Sequence, residues 1–377
     1  MGFRGWLSGL TACVLLFAAK GGALAQPGSA ATSPPPAAPG ALPLGDAALP
    51  PPKDAASLPS LAVPSLPDNS PAANVAGAEE MAGASSGWLS GLFLDGEYLY
   101  LRPHSQSMDY AIANTTSSSM PDGSAVARDW SWRSGLRGGL SYRLPGQPWS
   151  VGFYYTYLHD ATSGSVAAPD GGFLFATLTH PGTVAEVQTA SAATSLNYNV
   201  YDLEVGRWCC LTNTFAVRFF GGGRFAHIDQ NFTAFYDGGD ANQDLVSRQL
   251  HFNGGGFRAG AEATQNLFWG LSLFGRANAS LVGGEFHSTL LETNNAGATT
   301  LTNFVDRFDK VVPVAEMTMG LAWRYQNFRL TAGYQFIDWF GLVNVPTFVD
   351  DAHQGKFVRQ TSDLSLEGLI LRAEWWF

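Results

Sequence analysis

The chain has 377 residues, of which 14% are charged and 13% aromatic, and its formal net charge is −10. So low a charged fraction is unusual for a soluble protein of this length, and the excess of carboxylates argues against a polyanionic partner, so no nucleic-acid binding is expected. Three cysteines cannot make a disulfide framework.

Residues 1–25 read as a secretory signal. Arg4 supplies the positive start, Leu10 to Ala19 the apolar run, and Ala23-Leu24-Ala25 the small-x-small cleavage site before Gln26. The apolar run is too short to span a bilayer. Leu10-Thr11-Ala12-Cys13 also matches a lipoprotein cleavage pattern, but cutting there would leave a stunted apolar run, so cleavage after Ala25 is expected. Residues 26–87 are rich in Pro and Ala, with Pro34-Pro35-Pro36 and Pro50-Pro51-Pro52 removing backbone donors that a helix or sheet needs. This segment reads as a disordered or polyproline-II periplasmic tether, with contact to the cell wall as the alternative to a plain spacer.

From residue 88 onward the pattern has period two, the spacing of strands whose faces meet different surroundings. Over residues 130–144, Trp130, Trp132, Leu136, Leu140, Tyr142 and Leu144 share one face, and Arg133, Arg137 and Arg143 the other. The same alternation sets Phe215, Val217, Phe219 and Phe225 against Arg218 and Arg224, and Leu330, Tyr334 and Phe336 against Arg329. Tight turns near residues 145–148, 209–213, 265–268 and 325–327 alternate with long polar segments at 103–129, 161–194, 230–247, 285–309 and 341–362. Short periplasmic turns and long extracellular loops are the asymmetry of an outer-membrane barrel. Trp149, Trp208, Trp269, Trp323 and Trp375 fall beside the short turns or the C-terminus, as an interfacial aromatic girdle would. The last strand ends on Phe377, which reads as the insertion signal for a barrel-assembly machinery.

The expected fold is therefore all-β: a transmembrane antiparallel up-and-down β-barrel over residues 88–377. Ten strands are expected, roughly 90–102, 130–144, 149–160, 195–208, 214–229, 248–264, 269–284, 310–324, 328–340 and 363–377, with eight or twelve as alternatives. In a bilayer the sheet must close, because an open edge would leave backbone groups unpaired in lipid. Charges on such strands must face away from lipid, so Arg133, Arg137, Arg218, Arg224, Arg258, Arg276, Arg324 and Arg329, with Glu97, Glu204, Glu262, Glu316 and Glu367, are expected to line the lumen. They read either as a lattice of ion pairs or as the lining of a permeation path. Gly221-Gly222-Gly223 and Gly254-Gly255-Gly256 would either open space there or relieve crowding in bent strands.

Other candidate chemistry is thin, and no enzyme, cofactor or metal is expected. His159-Asp160 and His227 with Asp229 could form a His/Asp pair at the extracellular rim, the acidic loop 237–244 reads as solvated rather than as a calcium loop, and Cys209-Cys210 reads as a small apolar pair.

The segments YDLEVGRWCC (201–210), FFGGGRFAHIDQNF (219–232), FNGGGFRAGAEA (252–263), LSLFGRANASLVGGEF (271–286) and VVPVAEMTMGLAWRY (311–325) together resemble the Legionella-type major outer-membrane protein family of pore-forming barrels. The likeness runs from about Ser90 to Phe377 and implies a porin-like role in the outer membrane. It brings no catalytic or binding residue with it. The leading expectation is passive passage of small solutes or ions through a charged lumen. The alternative is a plugged structural barrel whose loops serve adhesion or recognition. Outer-membrane lipid is the expected surrounding in either case.

Overall fold

The structure, a computed structural model, describes residues 91–377 apart from 106–107 and 116–119. The expected signal, lipoprotein pattern and tether lie outside the described residues. Fourteen strands follow in chain order: β1 (Leu92–Ser105), β2 (Asp109–Asn114), β3 (Gly123–Ala127), β4 (Arg133–Arg143), β5 (Trp149–Ala167), β6 (Phe173–Ala176), β7 (Glu186–Val187), β8 (Thr189–Cys210), β9 (Phe215–Gly238), β10 (Ala241–Asn266), β11 (Leu271–Asn294), β12 (Thr299–Tyr325), β13 (Phe328–Phe348) and β14 (Phe357–Trp376).

Ten of these close into a ring in the order β1-β14-β13-β12-β11-β10-β9-β8-β5-β4, which selects ten strands over eight or twelve. All neighbours are antiparallel, and the first and last strands seal the ring from Phe93 opposite Trp376 to Ser105 opposite Leu364. Closure satisfies the backbone groups that lipid cannot. The outward face is oily all round the ring, with Leu94, Leu136, Phe153, Leu203, Phe219, Phe257, Leu281, Met319, Phe336 and Leu371 all exposed. Leu203→Arg would put a guanidinium into this band and is expected to cost about 2–4 kcal/mol of folding free energy. Urea titration of the protein refolded into vesicles measures it.

The short turns fall where the sequence puts them. Leu267 to Gly270 joins β10 to β11, with Gly270 at φ 77°, a left-handed conformation in which a Cβ would also crowd the Arg324 carbonyl. Trp149, Trp323, Trp375 and the turn residue Trp269 are exposed at this end. Trp208 departs from the expected girdle. It lies opposite Arg218, on the inward register of β8, and its ring packs against the Arg143 guanidinium, 5.9 Å from its centroid. An even-numbered residue of β8 faces the lumen whatever its affinity for an interface.

The opposite end differs more. Segments 230–247 and 285–309 are not loops: β9 and β10 run on to a tight turn at Gly238-Gly239, and β11 and β12 to one at Asn295-Ala296-Gly297, all with positive φ. Much of 341–362 is likewise strand, in β13 and β14. These extensions keep period two, but their outward residues turn polar, so the ladder continues after the lipid signature ends. Segments 103–129 and 161–194 contribute β2, β3, β6 and β7, which form a separate four-stranded sheet in the order β3-β2-β6-β7. Glu367 also departs from expectation. It shares the outward register with Leu369 and Leu371, and its Oε1 lies 3.0 Å from His104 Nε2.

Candidate functional site

The lumen holds the chain's densest chemistry, and it divides into two layers. Arg133, Arg137, Arg218, Arg224, Arg258, Arg276, Arg324, Arg329, Glu97, Glu204, Glu262 and Glu316 all occupy the inward register of their strands. In the layer nearer the short turns, β8, β9, β10, β11 and β12 bring their charges together across the ring. Asp202 receives two hydrogen bonds from Arg224, Nε at 2.7 Å and Nη2 at 2.9 Å. Arg224 Nη1 pairs with Glu316. Arg258 Nη1 reaches Asp202 at 2.7 Å and Glu204 at 2.8 Å, while its Nη2 reaches Glu316 at 3.1 Å and its Nε donates to Asn278 Oδ1 at 3.0 Å. Arg276 and Arg218 close the network on Glu204. Phe220 sits amid three guanidiniums, with those of Arg276, Arg218 and Arg258 at 4.6, 5.3 and 5.6 Å from its ring centre.

Smaller pairs flank the network. Arg137 bonds Glu97 at 2.8 Å and Thr156 at 2.9 Å, and Arg372 bridges Asp95 at 2.8 Å and Glu374 at 2.9 Å. Glu262 is buried opposite Arg218 and Arg276. Arg329 lies 3.5 Å from Glu374, and Arg324 stacks over Trp376 nearer the mouth. Arg133 is set apart, paired with Asp160 at 2.5 Å where β4 begins. In the central network Arg218, Arg224, Arg258 and Arg276 face Asp202, Glu204, Glu262 and Glu316, so the formal charges of these eight residues sum to zero. The space left within it is about 20 Å³, room for roughly one water.

Above this layer the lumen is apolar. Leu99, Leu158, Leu196, Tyr198, Ile228, Phe252, Val282, Phe286, Val312, Ile337, Trp339 and Leu366 form one buried cluster drawn from nine of the ten wall strands. Trp339 is fully buried at its centre, edge-on to Tyr198 and Phe252, and donates its Nε1 hydrogen to Tyr198 Oη at 3.2 Å. The glycine runs serve this packing and do not open the lumen: a Cβ on Gly254 would meet the Phe252 ring and Val282, and one on Gly256 the Leu281 carbonyl.

The sequence missed this plug, although a signal was present. In Val311-Val312-Pro313-Val314 the residues facing outward and those facing inward are both apolar, as in a strand buried on both sides. Phe219-Phe220 breaks alternation for a different reason: Phe220 faces inward among the guanidiniums of the ionic layer.

The rim candidates are arranged differently from expectation. His159 and Asp160 point to opposite sides of the wall, His159 bonding Asn197 Oδ1 at 2.6 Å and Asp160 holding Arg133. His227 and Asp229 do meet, at 3.0 Å, and His251 reaches the other oxygen of that carboxylate at 2.7 Å. This His-Asp-His chain lies on the outside of the wall, away from the lumen. In the 237–244 segment two of the carboxylates serve backbone, Asp237 accepting from Gln243 N and Asp240 from Ala185 N and Glu186 N, whereas Asp244 is buried rather than solvated.

Comparison with known proteins bears on this barrel as a whole. The family model described as Legionella pneumophila major outer membrane protein precursor matches residues 89–377. No curated protein matches the chain. Among solved structures, the chain is similar to the Escherichia coli outer membrane protease OmpT at 12% identity and a TM-score of 0.46, covering 78% of this chain and 99% of that one. It is also similar to a deltaS2S3 mutant of the monoaromatic hydrocarbon channel TodX, at 10% identity and 0.34, covering 76% and 91%. A Pseudomonas aeruginosa FadL homologue aligns at 10% identity and 0.21, covering 76% and 90%.

Proposed function

The chain belongs to the Legionella pneumophila major outer membrane protein family, and on that premise we propose that it is a sealed outer-membrane barrel, a structural wall that presents the extracellular strand extensions and their small sheet to the surroundings. The observation that carries this reading is the apolar cluster around Trp339, which fills the ring above a charge-neutral lattice. A solute would have to displace buried Trp, Phe and Leu side chains and then part ion pairs that are themselves out of water. Barrels near this strand number are filled by side chains, and wide aqueous channels belong to rings of about sixteen. The barrel performs no chemistry in this reading and needs no cofactor. Phe377 serves as the handle for the barrel-assembly machinery.

Porin-like passage of small solutes or ions is the second reading, favoured by one feature: an arginine-rich vestibule at the short-turn end, lined by Arg143, Arg218, Arg324, Arg329 and Arg372. Proteoliposome swelling separates the two. Vesicles carrying the mature chain are expected to respond to arabinose or glycine as empty vesicles do. Solute-dependent reswelling would establish passage and favour the porin.

A further inference from the structure

Beyond the lipid-facing band, β8 to β11 and the small sheet enclose a second apolar cluster that includes Tyr110, Leu174, Leu178, Val184, Tyr236, Val246 and Leu290. Two carboxylates lie within it, Asp244 at 0% exposure and Glu292 at 1%. Leu245 opposes Thr293 and Val246 opposes Glu292, so Asp244 and Glu292 are diagonal neighbours on the inner face of β10 and β11. Glu292 is held by His180 N at 2.7 Å and by the Thr183 hydroxyl at 3.1 Å, both from the segment between β6 and β7. Asp244 has no partner on either oxygen.

The groups facing this pair do not neutralise it by contact. Arg248 donates Nη2 to Leu178 O at 3.2 Å and leaves its Nε unpaired, Tyr236 donates to Tyr110 O at 2.6 Å, and His180 Nδ1 meets Pro181 O at 2.9 Å. Asp244, buried beside a second carboxylate with no donor on either oxygen, must take up a proton or a cation, because neither solvent nor a hydrogen bond offsets its charge. The donors on hand are oxygens, which suit a hard divalent ion.

We propose that Asp244 and Glu292, with the Thr183 hydroxyl beside them, form a binding site for a divalent cation of the calcium class. The ion would tie β10 and β11 to the segment between β6 and β7 and so pin the extracellular cap to the wall. Protons compete for the same oxygens. Burial first, and then Glu292, push the Asp244 carboxyl up to about 7. In chelator, the folded cap holds its proton more tightly than the unfolded chain, whose carboxyl titrates near 4. Cap stability then falls as pH rises from about 4 to about 7 and is flat above.

The test uses the whole mature chain in phosphatidylcholine vesicles, which lack anionic headgroups, with Tb³⁺ luminescence excited through Tyr236 and Tyr110. At pH 8 a saturable signal displaced by Ca²⁺ is expected, weakening about tenfold per pH unit below 7. Asp244→Asn should abolish it, and Asp237→Asn, in the exposed turn, should leave it intact. Folding of each variant is read from its heat-dependent gel mobility. If Asp244→Asn does not fold, Glu292→Gln takes its place. No saturable signal at pH 8, or one that survives the substitution, would overturn the site and leave a proton as the neutralising ligand.

Discussion

Arg258→Ala is expected to destabilise the barrel by about 3–5 kcal/mol, because removing one partner of a buried ionic network leaves its counter-charges uncompensated in a low dielectric. Arg258 contacts three carboxylates, Asp202, Glu204 and Glu316, and all of these lie out of water. Arg224 and Arg276 would cover some of the freed oxygens but not replace a fork that joins carboxylates of β8 and β12. Arg258→Lys should recover only part of the loss, since an ammonium on a single stem cannot bridge three acceptors in that geometry. Asp129→Asn provides the contrast. Its pair with Arg102 is 3.8 Å long and open to solvent, and its loss is expected to change stability by less than about 1 kcal/mol. The urea midpoint of each variant refolded into vesicles measures the difference.

Trp339→Ala should cost a similar amount, about 3–5 kcal/mol, by a different route. Its ring fills the centre of the apolar layer, and the Leu, Ile and Phe side chains around it extend from separate strands of a closed wall that cannot collapse inward. The void would be lined mainly by hydrocarbon, with the Tyr198 hydroxyl and the Arg224 guanidinium at its edge. The account therefore expects lower stability with no gain in permeability, because the lattice beneath remains intact. Swelling of Trp339→Ala proteoliposomes in arabinose, with wild type unresponsive, would mean that the indole alone held the lumen shut.

Much of the wall was legible from residues. Period two in segments such as Arg133 to Arg143, the tight turns, and the Trp residues beside them follow from the pleat and from the lipid, which act on every residue locally. The inward register of twelve of the thirteen predicted lumen charges follows from the same parity, Glu367 being the exception. What parity does not carry is the distance across the ring. Nothing in the sequence says that Arg258 meets Glu204 and Glu316 while Arg133 meets Asp160 and the Ala161 carbonyl, since strand tilt and ring size decide which inward residues share a level. Trp208 was misread because proximity to a turn was weighed above its register. The strand extensions at 230–247 and 285–309 were misread because polarity was taken as a sign of loop, whereas beyond the lipid a strand keeps its ladder with polar residues on its outer face. Asp244 and Glu292 were hidden for the same reason, within segments taken as loop.

The filled lumen is tested most directly by a cysteine at position 280, in a background with Cys209 and Cys210 replaced by serine. Ser280 faces inward between the lattice and the apolar layer and is 4% exposed, and Ser280→Cys adds little volume. Offered a charged, membrane-impermeant thiol reagent from both sides of a vesicle, this cysteine is predicted to stay unlabelled for hours while an Ala296→Cys control in the extracellular turn reacts at once. Labelling of position 280 as fast as the control, in folded protein, would mean that water and ions reach the middle of the barrel and would contradict the account.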